Sequence, residues 1–280
     1  MNLLCQTVPL QYDTVYSPYA AAEWEAAFAD IAAQGFTGVE IAVAYPELID
    51  ADAVSRQAAK HALAVTSIST GQAFGRDGWF LASRNGEIRA RAADVLRGHI
   101  ALSAKIGRPR VTIGLLRGRP EGSAAESLRL LGETLFPLIE LAEREGVTLQ
   151  IEPINRAETT FLNTTRETLD FLRALGNPGC AGLLYDTYHS YLEDGDMLAA
   201  VREAGNRIMN VHVADTGRGL PGTGEIDFPA VLAEILKTGY TGPIALETKR
   251  VPSREHVLAN AGEALLGAVR AANERLRQQM

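Results

Sequence analysis

The feature that most constrains this chain is an alternation that runs through its whole length. Short β-branched or aliphatic runs take turns with longer Ala/Leu/Glu/Arg-rich stretches of helical period. The runs lie at Leu3–Val8, Gly38–Ala42, Ala64–Ser69, Arg110–Leu115, Thr148–Glu152, Ala181–Asp186, Ile208–Ala214 and Pro243–Glu247. Helices are expected between them at Pro18–Gln34, Ala51–His61, Gly86–Ile106, Ala124–Glu145, Thr165–Leu175, Asp196–Ala204, Pro229–Thr238 and Arg254–Gln278. Eight βα units are what a closed parallel barrel requires, so the predicted fold class is α/β, a single (β/α)8 TIM barrel.

Local punctuation agrees. Ser17 precedes Pro18 at the first helix, Thr164 and Glu167 have the spacing of a capping box, and Gly35, Gly107, Gly146 and Gly239 fall just past helix ends. Barrels of this kind take about 250 residues. No Pro- or Ser-rich linker breaks the 280 residues, so residues 1–280 are read as one domain. The 27 basic and 34 acidic side chains leave a net charge of −7, which argues against a sequence-independent grip on nucleic acid.

Cys5 and Cys180 match no metal or redox spacing and read as two reduced thiols. The opening MNLLCQTVPL lacks the basic segment and the apolar length of a signal peptide and reads as the first buried strand. No run approaches the roughly 18 apolar residues of a membrane span, so a cytoplasmic protein with no membrane partner is expected. A homo-oligomer is expected as well. The long glycine-bearing segment after the third strand, from Thr70 to Gly86 with Phe74, Trp79 and Phe80, has the length of a lid or binding loop on the face where barrel active sites sit.

Chemistry gathers at the carboxyl ends of the last four strands. Glu152 closes VTLQIE, Asp186 closes GLLYD, His212 sits in MNVHVAD and Glu247 closes PIALE, at separations of 34, 26 and 35 residues. Each has an ordinary explanation alone: a strand end in solvent, a helix cap, a hydrogen-bonded core histidine. Together they converge on one side of the barrel mouth, where three carboxylates without a cation would repel and raise their own pKa values. A divalent metal resolves that conflict. The oxygen-rich set suits Mn2+ first, with Mg2+ or Co2+ as alternatives, and leaves positions for a substrate carbonyl and its neighbouring hydroxyl. A metal there would act as a Lewis acid for a developing enediolate.

Polar residues follow these strand ends: Asn155, Arg156 and Glu158 after Glu152, His189 after Asp186, and Arg218 after His212. Arg156 reads equally well as a solvated residue and Asn155 as a turn residue. His189 and Arg218 are expected to face substrate. His61, His99 and His256 fall within helices and are expected at the surface.

The strings IEPINRAE, YDTYH, NVHVADTGRGLPGTGEIDF, LKTGYTGPIALE and AAQGFTGVEI resemble the xylose-isomerase-like barrel superfamily of sugar isomerases and epimerases. Within it the nearest patterns are the ketose 3-epimerases (D-tagatose and D-psicose 3-epimerase) and hydroxypyruvate isomerase. The resemblance is dense from Glu152 to Glu247 and generic before Arg110. It implies that Glu152, Asp186, His212 and Glu247 are the metal ligands, with Glu152 and Glu247 also the catalytic proton-transferring pair. It further implies that Glu158, His189 and Arg218 contact substrate oxygens. No other cofactor is implied.

Asn155, Arg156 and Glu158 match the ketose epimerases, whereas the proline of EPIN and the GTGEID string are closer to hydroxypyruvate isomerase. The functional expectation is therefore a metal-dependent ketose 3-epimerase acting on a small carbohydrate. Hydroxypyruvate isomerase, an inosose- or shikimate-type dehydratase and a non-catalytic sugar-binding barrel are the alternatives. Three-zinc nucleases of the endonuclease IV kind need further histidines at strands 3 and 4, where this chain has Ser69-Thr70 and Leu115-Leu116.

Overall fold

The computed structural model describes residues 2–279. Eight strands form a closed barrel, β1 (Leu4–Pro9), β2 (Gly38–Ala42), β3 (Ala64–Ser69), β4 (Arg110–Ile113), β5 (Leu149–Ile151), β6 (Ala181–Asp186), β7 (Ile208–Val213) and β8 (Ile244–Leu246), each beside its sequence neighbours. All eight pairings are parallel, with β8 closing onto β1 through Leu4, Cys5 and Gln6. The strands are short and mostly apolar because helices cover the outside and side chains fill the inside.

Among the described residues ten helices surround them: α1 (Trp24–Ala33), α2 (Ala51–Lys60), α3 (Gly71–Asp77), α4 (Gly86–Lys105), α5 (Ala124–Glu145), α6 (Thr165–Ala174), α7 (Thr187–Glu193), α8 (Met197–Ala204), α9 (Phe228–Lys237) and α10 (Arg254–Gln279). Their ends follow the local chemistry. Asp50, Asn85, Ser123 and Thr164 each accept a backbone N–H from the first turn of the helix they precede. The four expected helix-end glycines all take positive φ, between +67° and +94°. At α6 Thr164 accepts from the Glu167 N–H at 3.1 Å, but the Glu167 carboxylate reaches one residue further back, to the Asn163 N–H at 2.7 Å.

Three expectations need correction. The first helix begins after a 3-10 turn, at Trp24 rather than Pro18, because the Ser17 hydroxyl donates to the Thr7 carbonyl at 2.7 Å and ties that segment to β1. The segment after β3 is no open loop. It contains α3, stopped by Gly78 in the left-handed region at φ +66°, and Phe80 packs edge-on against Phe74 in a core shared with α4 and α5. His99 is fully buried, its ring nitrogens 2.8 and 3.0 Å from the carbonyl oxygens of Val95 and Val43, and burial lowers its pKa. His61 and His256 are half-buried.

Inside the barrel the filling is unusually polar. Gln6, Glu40, Ser67, Thr112, Gln150 and Asn210 are all essentially inaccessible. Gln150 donates to the Ser67 and Thr112 hydroxyls at 3.0 and 2.7 Å, making a hydrogen-bonded floor between β3, β4 and β5. No helix among the described residues is long and apolar enough to cross a membrane.

Candidate active site

The parallel register places Asp186 level with His212 on the adjacent strands β6 and β7. Glu152 follows the last residue of β5 and Glu247 follows the last residue of β8, so all four side chains enter the same end of the barrel. One donor atom from each of Glu152, Asp186, His212 and Glu247 lies within 4.8 Å of the others. His212 Nδ1 is 3.6 Å from Glu152 Oε1, 3.9 Å from Asp186 Oδ2 and 3.5 Å from Glu247 Oε2. That nitrogen is buried and has no hydrogen-bond partner. Gly114 gives Glu152 its room, since a Cβ there would come within 2.8 Å of Glu152 Oε2.

An unpartnered imidazole nitrogen facing three carboxylates is what a hard divalent cation fits. The electrostatics agree. Burial above all, with the Glu247 and Asp186 carboxylates adding to it and His212 opposing, pushes Glu152 up to about 7. Burial acts in the same direction on Asp186, but Arg218, His189 and His212 outweigh it and bring that group to about 2. For Glu247, burial is again overcome by His212 and Arg218, and its pKa falls. Burial alone would lower His212, yet Glu40 and Glu247 raise it well above the ordinary imidazole value.

Arg218 is 3% exposed and enters this cluster from the loop after β7. Its Nη1 donates to Asp186 Oδ2 at 2.7 Å and to Glu247 Oε2 at 2.9 Å, and Tyr188 and Tyr16 flank the guanidinium at 4.7 and 5.2 Å. The loop is wound around buried Asp215, whose carboxylate accepts backbone N–H groups from Thr216, Gly222, Gly224 and Ile226. This winding holds Arg218 itself at φ +63°, a strained conformation for a residue with a Cβ.

His189, on the first turn of α7, is 2% exposed. Burial, reinforced by Arg218 and opposed by Asp186, brings it down to about 4, so the ring is neutral. Its Nδ1 accepts the Asn155 N–H at 3.2 Å, while its Nε2 lies 2.6 Å from Arg218 Nη2. A neutral imidazole has one acceptor nitrogen, and here both face donors.

The cavity above these residues holds about 200 Å³ and is lined by Glu152, Glu158, His189, Arg218 and Glu247 on one side and by Thr7, Thr14, Tyr16, Ser69, Thr70 and Gln72 on the other. Glu158 is steered by Asn155, whose Nδ2 donates to its Oε1 at 2.9 Å. All seven expected site residues are therefore brought together. Arg156 instead lies outside, paired with Glu193 and Glu167. Trp79 and Phe80 do not reach the cavity, and that segment contributes Thr70, Gly71 and Gln72.

Two residues behind the site were not anticipated. Glu40 on β2 accepts the Nε2–H of His212 at 2.9 Å. Arg117, fully buried after β4, donates to the carbonyls of Gly114, Glu152 and Leu162 at 3.1, 2.8 and 2.9 Å, tying three site loops together. A lone carboxylate inside the apolar run GVEIA was the available signal for Glu40. Arg117, in a polar loop, gave none.

Comparisons with known proteins agree with this architecture. A family model described as xylose isomerase-like TIM barrel matches residues 28–271. The L-ribulose 3-epimerase of Mesorhizobium japonicum is 30% identical over 239 residues, 82% of this chain and 76% of that protein. A solved structure of L-ribulose 3-epimerase superposes with a TM-score of 0.85 at 26% identity, covering 99% of this chain and 98% of the other. The D-allulose 3-epimerase of Methylomonas sp., solved with D-allulose, gives 0.77 at 26% identity, covering 100% and 98%. The chain belongs to the xylose isomerase-like TIM barrel family.

Proposed function

We propose that this chain is a metal-dependent ketose 3-epimerase, an isomerase that inverts a carbon next to a ketone through an enediolate. The observation that carries this reading is the unpartnered Nδ1 of His212 facing Glu152, Asp186 and Glu247 inside a cavity beside Arg218 and His189. Names of relatives point the same way, since L-ribulose and D-allulose 3-epimerases match over most of the chain. The cavity, about 200 Å³, lies below the roughly 300–1,000 Å³ typical of drug-sized ligands and suits a small carbohydrate.

Glu152, Asp186, His212 and Glu247 are the residues that would hold the cation, with Mn2+ favoured by their oxygen-rich donors and Mg2+ or Co2+ as alternatives. When bound, a divalent cation supplies positive charge that stabilises the oxyanion of the enediolate. Glu152 and Glu247 are the proton-transferring pair. One removes the proton at the carbon next to the carbonyl and the other returns a proton to the opposite face, which inverts that carbon. Without the ion, burial pushes Glu152 up to about 7, whereas His212 and Arg218 overcome burial and hold Glu247 down, so the two carboxylates sit in unlike environments.

Arg218, His189 and Glu158 hold substrate oxygens. An oxygen between Arg218 and His189 would accept from the guanidinium and from the Nε2–H of the neutral ring, resolving the donor conflict between them.

The decisive experiment incubates metal-loaded protein in D2O with ketoses, hydroxypyruvate and inososes. Deuterium at C3 of a ketose, with the C3 epimer accumulating, is the expected result. Turnover of hydroxypyruvate alone, or of no compound, overturns the reading. A chelator should abolish activity and Mn2+ or Co2+ restore it, whereas full activity in protein shown to be metal-free refutes the metal assignment.

The same proposal takes residues 1–280 as one functional domain of a cytoplasmic homo-oligomer. The groove between α5 and α6 supports self-association. Phe136 stands 59% exposed at its edge, Phe161 and Phe171 line it, and Arg129, Glu133 and Asp170 supply both charge signs for a two-fold contact. Sedimentation equilibrium should show more than a monomer, and Phe136→Glu should shift it toward one.

A further inference from the structure

Glu40 is fully buried in the middle of β2, between Val39 and Ile41, which are equally inaccessible. A carboxylate in such a place is a poor stabiliser, because the cost of desolvating it is barely recovered by a partner. The one ion pair it makes among the described residues is with His212. The two strands involved are not neighbours. β7 is separated from β2 by β8 and β1, so the contact crosses the barrel interior and is no by-product of strand pairing.

The hydrogen bonding around Glu40 has a fixed sense. Asn210 Oδ1 accepts the Val211 N–H at 2.9 Å, which decides that its Nδ2 end faces Glu40, and Nδ2 then donates to Glu40 Oε2 at 3.2 Å. The same oxygen receives the His212 Nε2 at 2.9 Å. A carboxylate can only accept, so His212 carries its proton on Nε2. That leaves Nδ1, on the other side of the ring, as the nitrogen that can give up its proton and turn a lone pair to a cation held among Glu152, Asp186 and Glu247.

We propose that Glu40 is a positioning residue: it fixes the tautomer and orientation of His212 and so sets the affinity of the four-residue cluster for a divalent cation. The inference rests on the metal reading given under the proposed function. Carboxylates that accept the distal N–H of a ligating histidine typically change metal affinity by about 10- to 100-fold when removed. Asn210 holds Glu40 in turn, and the chain of contacts runs from the β7 backbone through Asn210 and Glu40 to the ring.

Glu40→Gln tests this, because it keeps the size and an acceptor oxygen but removes the charge. Mn2+ is titrated calorimetrically into metal-free wild type and variant, and thermal unfolding is recorded for both with and without the ion. The expected result is a Kd weaker by about 10-fold or more. Mn2+ should raise the unfolding temperature of the variant by less than it raises that of wild type. An unchanged Kd, or metal-free and metal-loaded forms destabilised alike, shows that Glu40 is only structural and overturns the proposal. Wild type that binds no Mn2+ overturns the metal reading itself, which separates the two failures.

A measurement on the wild type makes the test independent of how the variant folds. In protein loaded with diamagnetic Mg2+ and labelled with 15N at histidine, the His212 ring should show a protonated Nε2 and a bare Nδ1. A bare Nε2 refutes the role of Glu40.

Discussion

Cation affinity should depend steeply on pH, with a change of slope that the structure locates. Without the ion, burial and two neighbouring carboxylates hold Glu152 at about 7, and Glu40 and Glu247 keep the His212 imidazole protonated well above 6.5. Asp186, at about 2, and Glu247, lowered by His212 and Arg218, are already ionised near neutrality and contribute no slope. A ligand must be deprotonated to bind, so at pH 6 the cation displaces a proton from His212 and about nine-tenths of one from Glu152. At pH 8 only about one-tenth remains on Glu152. The logarithm of the association constant should therefore rise with pH, and more steeply below about pH 7 than above it. Calorimetric titration of Mn2+ in buffers of different ionisation enthalpy counts the protons directly. More protons should be released at pH 6 than at pH 8. Affinity that is flat between pH 6 and 8, or fewer than one proton released at pH 6, would show that these side chains are not the ligands.

Three further outcomes are expected. Glu152→Gln and Glu247→Gln keep an oxygen donor but lose the base, so turnover should fall by about 100-fold or more while Mn2+ affinity falls less; a variant near wild-type turnover has no part in proton transfer. Arg218→Lys keeps the charge but loses the fork that reaches Asp186, Glu247 and His189, so kcat should fall more than KM rises, and an unchanged kcat would show that Arg218 holds no substrate oxygen in the transition state. Gln72→Ala should raise KM several-fold and Trp79→Ala should leave it within about twofold, since Gln72 lines the cavity and Trp79 packs behind it; the reverse order in steady-state kinetics would refute that placement.

Much of this site was legible because a barrel turns spacing into position. Four polar residues ending consecutive apolar runs must meet at one rim, and the register of β6 with β7 shows why: Asp186 and His212 are direct partners across the pair. Residues that act from behind were not legible in that way. Glu40 meets His212 across the barrel from a strand 172 positions away, and no local pattern in GVEIA encodes that contact. His99 shows the opposite failure. Its helical neighbours suggested a surface position, but α4 turns that residue inward, where two carbonyls receive the ring. The segment after β3 has the length and glycines of a lid or binding loop, yet Phe74 and Phe80 pack edge-on against each other and onto the adjoining core. Tertiary packing decided that segment, and composition does not record it.

The polar barrel interior explains why the site has two unlike halves. Glu152, Asp186, His212 and Glu247 stand on β5 to β8 or directly after them, and charge there is offset by Arg218. Around β1 to β4 the cavity wall is neutral, formed by Thr7, Thr14, Ser69, Thr70, Gln72 and Thr112. A ketose placed with its carbonyl and adjacent hydroxyl toward the charged half directs the rest of its chain over the neutral half. Hydroxyl and amide groups there can donate or accept, so they can meet a distal hydroxyl in either configuration. Substitutions among Thr14, Ser69 and Gln72 are where a change of sugar preference should arise without loss of the epimerising step.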